Sequence, residues 1–183
     1  MTAKEDYDNL ESLHERMLEL LHHRLHCMEY KKRTEIFLDI VQEVESENHF
    51  PNANYAFDSG VMSLDLCRFI EEKGKHWVTE VARNRHIMWD GYYQRVDGVA
   101  ERLKDEHPES FRYLEVKQRN NTMKEYWIFT KAVRIKKYGK KRLVIAYERE
   151  DLSDEPHFFL SSANHWESVK ILKTWSYRWS IEV

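Results

Sequence analysis

Two acidic side chains of this 183-residue chain stand where strand and helix signals place a functional group, Asp58 at a strand end and Glu182 on a helix, 124 positions apart. A β-rich stretch separates them. Arg178 lies four residues before Glu182, so both project from one helix face, where an arginine can hold DNA phosphate or orient the carboxylate. The plain alternative for that pair is an exposed salt bridge worth roughly a few tenths of a kcal/mol. Each acid taken singly can also be an ordinary surface charge, and Asp58-Ser59-Gly60 is also a normal turn sequence.

Lys131, Arg134, Lys136, Lys137, Lys140, Lys141 and Arg142 put seven cations into twelve residues around a turn at Gly139. On a hairpin tip they form a patch that tracks phosphates. A ribbon edge kept from aggregating by its charge accounts for them equally well. His22, His23, His26 and Cys27 contain two i,i+4 pairs, the spacing of helical zinc sites, but no carboxylate or further cysteine completes a set, and a solvated helix face is the expectation. Trp175 and Trp179 keep helical spacing with Leu172, which assigns them to a core and not to base stacking.

With 42% hydrophobic and 33% charged residues the chain is long enough to bury one core. No apolar run approaches membrane-spanning length, and the acidic start MTAKEDYDNLESLHERM differs from a basic, then apolar, signal peptide. The expected compartment is the cytoplasm. Cys27 and Cys67 are too few for a disulfide framework and read as buried or inert thiols. The net charge of -3 does not mark a polyanion binder, but its distribution does: residues 1–60 carry a net -7, residues 131–149 a net +7. Any polyanion contact belongs in the second half.

These groups need elements to position them. Leu10, Leu13, Met17, Leu20, Leu21 and Met28 recur at helical intervals behind a capping-box spacing at Asp8 to Glu11, and residues 1–33 form an N-terminal helical segment. Thr34 can cap a second helix with Ile36, Phe37, Ile40, Val41 and Val44 on its apolar face, ended by the stretch around Pro51. Tyr55-Ala56-Phe57 is a short strand, Ser63 opens a helix stopped at Gly74, and HWVTEVA is another strand. Strand, helix and strand in this order predict a parallel βαβ unit with Asp58 at the carboxyl end of its strand, where α/β sheets build sites. Residues 108–162 turn β-rich, with turn signals at Asn120-Asn121 and Gly139, and predict an inserted antiparallel sheet. Asn164 and Glu167 have capping-box spacing before a helix that runs WESVKILKTWSYRWSIEV to the last residue.

The segment YAFDSGVMSLDLCRFIEEKGKHWVTEVARNR is similar to the second-aspartate region of insertion-sequence DDE-type transposases. WESVKILKTWSYRWSIEV resembles their glutamate-bearing helix, and FTKAVRIKKYGKKRLVI the strands of their insertion domain. The three segments agree in order and spacing and cover about residues 34 to 183. The resemblance implies an α/β, partial RNase H-like fold with a βαβ unit, an inserted antiparallel sheet and flanking helices. It implies three carboxylates holding two Mg²⁺ (or Mn²⁺) ions for DNA cleavage and strand transfer at transposon ends. Asp58 and Glu182 would be metal ligands, and Arg178, with Tyr177 beside it, would match the family's tyrosine–arginine–glutamate motif. The motif's lysine would fall past Val183. One ion of such a pair activates the attacking oxygen and the other stabilises the leaving one.

The family's first aspartate has no counterpart. Asp6 and Asp8 have no β-rich run behind them, and Asp39 falls inside a helix. Two of three ligands remain, so the sequence predicts a truncated copy that neither nicks nor joins DNA alone. The alternative is a non-catalytic DNA-binding or interaction remnant that occupies transposon ends or pairs with an intact transposase. A homodimer is a further possible partnership, and no membrane association is expected.

Overall fold

Two of the described helices of the chain begin where a side chain can reach a bare N–H. The computed structural model describes residues 15–18, 31–48, 50–118 and 120–178, and it falls into two compact units divided between Asn52 and Ala53. In the first, helix α1 (Arg33–Glu47) starts after Lys32 and not at Thr34. The reason is Glu35, whose carboxylate accepts the Lys32 N–H at 2.9 Å and closes the first turn. Asn48, at φ 51°, ends it in the left-handed region that asparagine tolerates. The apolar pattern expected over residues 10–28, with the His22, His23, His26 and Cys27 cluster, lies outside the described residues apart from the helical stretch 15–18.

The second unit follows the order β1 (Tyr55–Asp58), α2 (Leu64–Glu72), β2 (Trp77–Glu80), β3 (His86–Trp89), β4 (Tyr92–Arg95), α3 (Val96–Glu106), β5 (Arg112–Lys117), β6 (Met123–Ile135), β7 (Gly139–Tyr147), β8 (His157–Ser161) and α4 (Ser168–Ser176). The expected βαβ unit is present: β1 and β2 are parallel, in register from Tyr55 against Trp77 to Asp58 against Glu80. The Ser63 hydroxyl accepts the Leu66 N–H at 3.1 Å and opens α2. Gly74, at φ 72°, takes the chain out of α2 toward β2 in a conformation costly for other residues.

The β-rich stretch is not a separate sheet. β8 pairs antiparallel with β2, and one eight-stranded mixed sheet runs β1-β2-β8-β7-β6-β3-β4, with β5 also on β6. The antiparallel part begins well before residue 108, at a β3–β4 hairpin whose turn residues Asp90 and Gly91 both have positive φ. An Asp-Gly pair supplies that two-residue turn, whose twist matches the flanking strands. The long strand β6 shares one edge between β5, over residues 123–128, and β3, at Arg134 and Ile135.

In-register partners share a face, so Val78 of β2, Ala146 of β7 and Phe159 of β8 line one side of the sheet, where they join Ile171, Leu172 and Trp175 of α4 in one buried cluster. Each of the larger aliphatic and phenylalanine side chains here, fully removed from water, stabilises by about 1.5–3 kcal/mol. The opposite face buries Trp77 and Phe57, with rings 5.9 Å apart, and α2 lies beside β2 with Leu66, Cys67 and Ile70 buried. Helix α4 opens at Ser168, and Asn164 does not cap it. Instead the Asn164 side-chain amide donates to the Lys140 carbonyl at 3.1 Å, and the Asn164 backbone carbonyl accepts the Arg142 guanidinium, which ties the helix approach to the β6–β7 hairpin.

Candidate functional site

A parallel strand pair leaves its carboxyl ends side by side, and here both ends are acidic. Asp58 closes β1 and Glu80 closes β2 as register partners, so their side chains leave the same face. That face is the one α4 covers, and α4 touches both strands. The turn after α4 carries Arg178 onto Asp58, its Nη1 donating to Oδ2 at 2.7 Å. Arg178 is held from behind, with its guanidinium carbon 4.2 Å from the Trp175 ring centre. The Arg178 side chain is only 11% exposed against 56% for Asp58, so the cation is seated and the carboxylate faces water.

A line of alternating charge continues across the sheet from Glu80. His157 Nδ1 lies 2.7 Å from Glu80 Oε1, His157 Nε2 lies 3.6 Å from Glu148 Oε1, and Lys124 Nζ lies 2.6 Å from that same oxygen. The hydrogen bond to Glu80, helped by the charges of Glu80 and Glu148, raises the His157 pKa above its ordinary value, against burial and Lys124, which lower it. With His157 protonated, the line runs cation, anion, cation, anion from Lys124 to Glu80 and ends against a second anion, Asp58, which Arg178 balances. Asp58, Ser59, Glu80, Arg83, Glu155 and His157 line an open cleft of about 410 Å³ at this corner. Arg83 and Glu155 face each other at 2.6 Å on its exposed rim.

Of the expected site residues, Asp58 and Arg178 are brought into contact, and Tyr177 caps the end of α4, 46% exposed. Glu182 lies outside the described residues, as does Trp179. Trp175 is core, 5% exposed, with its ring 5.6 Å from Phe159. Among the described residues no group of three or more His, Cys, Asp or Glu side chains is arranged to hold a metal ion.

The basic cluster lies toward the other end of the sheet. Glu80 pairs with Phe159 and Phe159 with Val144, so the hairpin turn at Gly139 is five residues further down β7, roughly 17 Å along the strand. Its seven cations divide. Lys141 is 7% exposed and paired with Glu71 at 2.9 Å, an acid that also accepts the Trp77 indole N–H at 2.8 Å. Arg142 holds Asn164, and Lys131 sits 4.0 Å over the Trp89 ring. Arg134, Lys136, Lys137 and Lys140 are exposed.

Glu80 and His157 are absent from the expected site. Glu80 was legible, because the strand HWVTEVA beside a parallel partner ending in Asp58 puts an acid at the matching position. His157, the first residue of HFFLSS, was not, because only the β2–β8 pairing brings it to Glu80. Neither the scan against protein-family models nor the search of curated proteins finds a match to this chain.

Proposed function

We propose that the second unit acts in DNA transposition, as the C-terminal part of a DDE-type strand-transfer domain with a partial RNase H-like fold that is inactive alone, because the family's first aspartate has no counterpart in this chain. The observation that carries this is the Arg178–Asp58 contact of 2.7 Å, made between the helix and the strand that the transposase resemblance pairs across 120 residues. Chance would have little reason to join those two segments at their motif residues.

Under this proposal Asp58 and Glu182 are the metal ligands. The donor chemistry of the described part fits a hard divalent cation: a water-facing carboxylate at a strand end, beside an open cleft. Mg²⁺ or Mn²⁺ bound there would supply activation of the attacking oxygen and stabilisation of the leaving one. The chain's own groups supply the rest. The Arg178 guanidinium can donate to oxygens of a phosphodiester, Tyr177 is half-exposed beside it, and the Trp175 ring backs the guanidinium.

Iron-directed affinity cleavage tests the proposal. Fe²⁺ in place of Mg²⁺, with ascorbate and peroxide, cuts a polypeptide next to its metal ligands. Cuts near both Asp58 and Glu182, suppressed by excess Mg²⁺ and lost in Asp58→Asn, are expected. Cuts at neither position overturn the metal assignment.

A DNA-binding or interaction role without chemistry is the alternative. It is favoured by the four exposed cations at the β6–β7 turn, which lie away from Asp58 and can meet a duplex without involving it.

A further inference from the structure

Asp58 makes one charged contact in this structure that competes with the use proposed for it. Its Oδ2 receives the Arg178 guanidinium at 2.7 Å. The contact is a single N–H on one oxygen, and Oδ1 stays open to water, but the guanidinium balances much of the carboxylate's charge, so a divalent cation at Asp58 binds against the repulsion of Arg178 unless the arginine moves away. The arginine, in turn, cannot present the same N–H to a phosphodiester while it donates to Asp58. The Trp175 ring also contacts the guanidinium, whose carbon lies 4.2 Å from the ring centre.

We propose that the Arg178–Asp58 ion pair couples cation binding to phosphodiester binding, each ligand releasing the partner that the other needs. The proposal rests on Asp58 being a metal ligand. Without DNA the ion pair masks Asp58 and weakens its hold on a cation. A phosphodiester arriving at the cleft takes Arg178 and unmasks the carboxylate, and a cation arriving first frees Arg178 for phosphate. The two effects are equal in size, because coupling between two binding equilibria is reciprocal. An ion pair with one water-facing partner is a modest interaction, so a coupling of about two- to fivefold is expected in each direction.

The arrangement also predicts which substitutions break it. Arg178→Gln removes the mask and raises cation affinity in the absence of DNA to the level wild type reaches with DNA. Arg178→Lys keeps the charge, loses the fork, and falls between the two. Removing the mask without removing the ligand is the signature of competition. A merely structural arginine would lower cation affinity when replaced, because the Asp58 corner would loosen.

The experiment uses the full 183-residue chain, Mn²⁺ at fixed free concentration, and a short blunt DNA duplex. Binding is read as paramagnetic broadening of the Ser59 and Val81 amide signals, next to Asp58 and Glu80. Tighter Mn²⁺ binding with duplex present, tighter binding in Arg178→Gln without duplex, and no further gain from duplex in that variant are the expected results. Equal Mn²⁺ affinity in wild type and both Arg178 variants overturns the coupling while leaving the metal assignment standing. Broadening that survives in Asp58→Asn overturns the metal assignment itself. No broadening in wild type or in Arg178→Gln overturns both, and the unchanged amide pattern of each variant verifies its fold.

Discussion

His157 Nδ1 and Glu80 Oε1 lie 2.7 Å apart across the β2–β8 pairing, and this contact ties the βαβ unit to the first residue of the strand that returns from the long β-rich excursion.

The folded chain holds the His157 proton more tightly than the unfolded chain, whose imidazole titrates near 6.5. The resulting stabilisation is complete below that pH and is lost as pH rises through the raised value of the folded state. The His157 ring signals should therefore titrate above 6.5, and urea midpoints should fall as pH increases through that region. Glu80→Gln should bring the titration down and flatten the pH dependence. A ring titrating at or below 6.5 in the native chain would show that the contact with Glu80 does not persist in solution.

Lys141→Ala should destabilise the second unit by about 2 kcal/mol in urea denaturation, because it leaves the Glu71 carboxylate beside Trp77 without its buried cation. Lys136→Ala, at an exposed turn position, should stay within about 0.5 kcal/mol of wild type. Equal effects from the two would mean that the buried ion pair contributes nothing special.

Replacing Arg134, Lys136, Lys137 and Lys140 together by alanine should weaken binding to duplexes of any sequence and flatten the dependence of log affinity on log salt. The four are exposed and take no part in the packing of α4, so circular dichroism and melting should hardly change. An unchanged salt slope assigns them to edge protection.

Trp175→Ala should cost about 3–5 kcal/mol, since the indole is 5% exposed and packs edge to face against Phe159. It also removes the backing of Arg178, so the variant at low temperature, while still folded, should show a more mobile Arg178 side chain by NMR. A loss under about 1 kcal/mol would place Trp175 outside the core.

Much of the second unit follows from local sequence. Ser63 and Gly74 bound α2, the short apolar runs at 55–57 and 76–82 mark β1 and β2, and Gly139 marks the β6–β7 turn, because each signal acts through its own backbone. What escaped depends on distant partners or on a competing local bond. Asn164 has capping-box spacing, yet Lys140 and Arg142 engage it first. Lys141 looks like its basic neighbours, yet strand alternation turns it inward toward Glu71. The β3–β4 hairpin is a different case: Asp90-Gly91 is a strong local turn signal, and it joins two strands of only four residues each. At the site, Asp58 and Arg178 were legible from motif spacing, whereas His157 gained its place only when β8 paired with β2.

The chain leaves β2 at Glu80 and comes back at His157 next door, with the Val81 N–H already bonded to the Phe158 carbonyl at 2.8 Å. The covalent route through residues 81–156 therefore starts and ends at one doorstep, and a tight turn could join β2 to β8 directly, at a small loop-closure cost. Noncovalent continuity opposes that economy. Excising the segment would strip β7 from β8 and bare a row of strand N–H and C=O groups opposite Leu143, Val144 and Ile145, a surface prone to pair with another molecule. The excursion is thus detachable by its connections and indispensable by its edge, so swapping it between proteins would succeed only if the incoming segment brought its own strand to lie against β8.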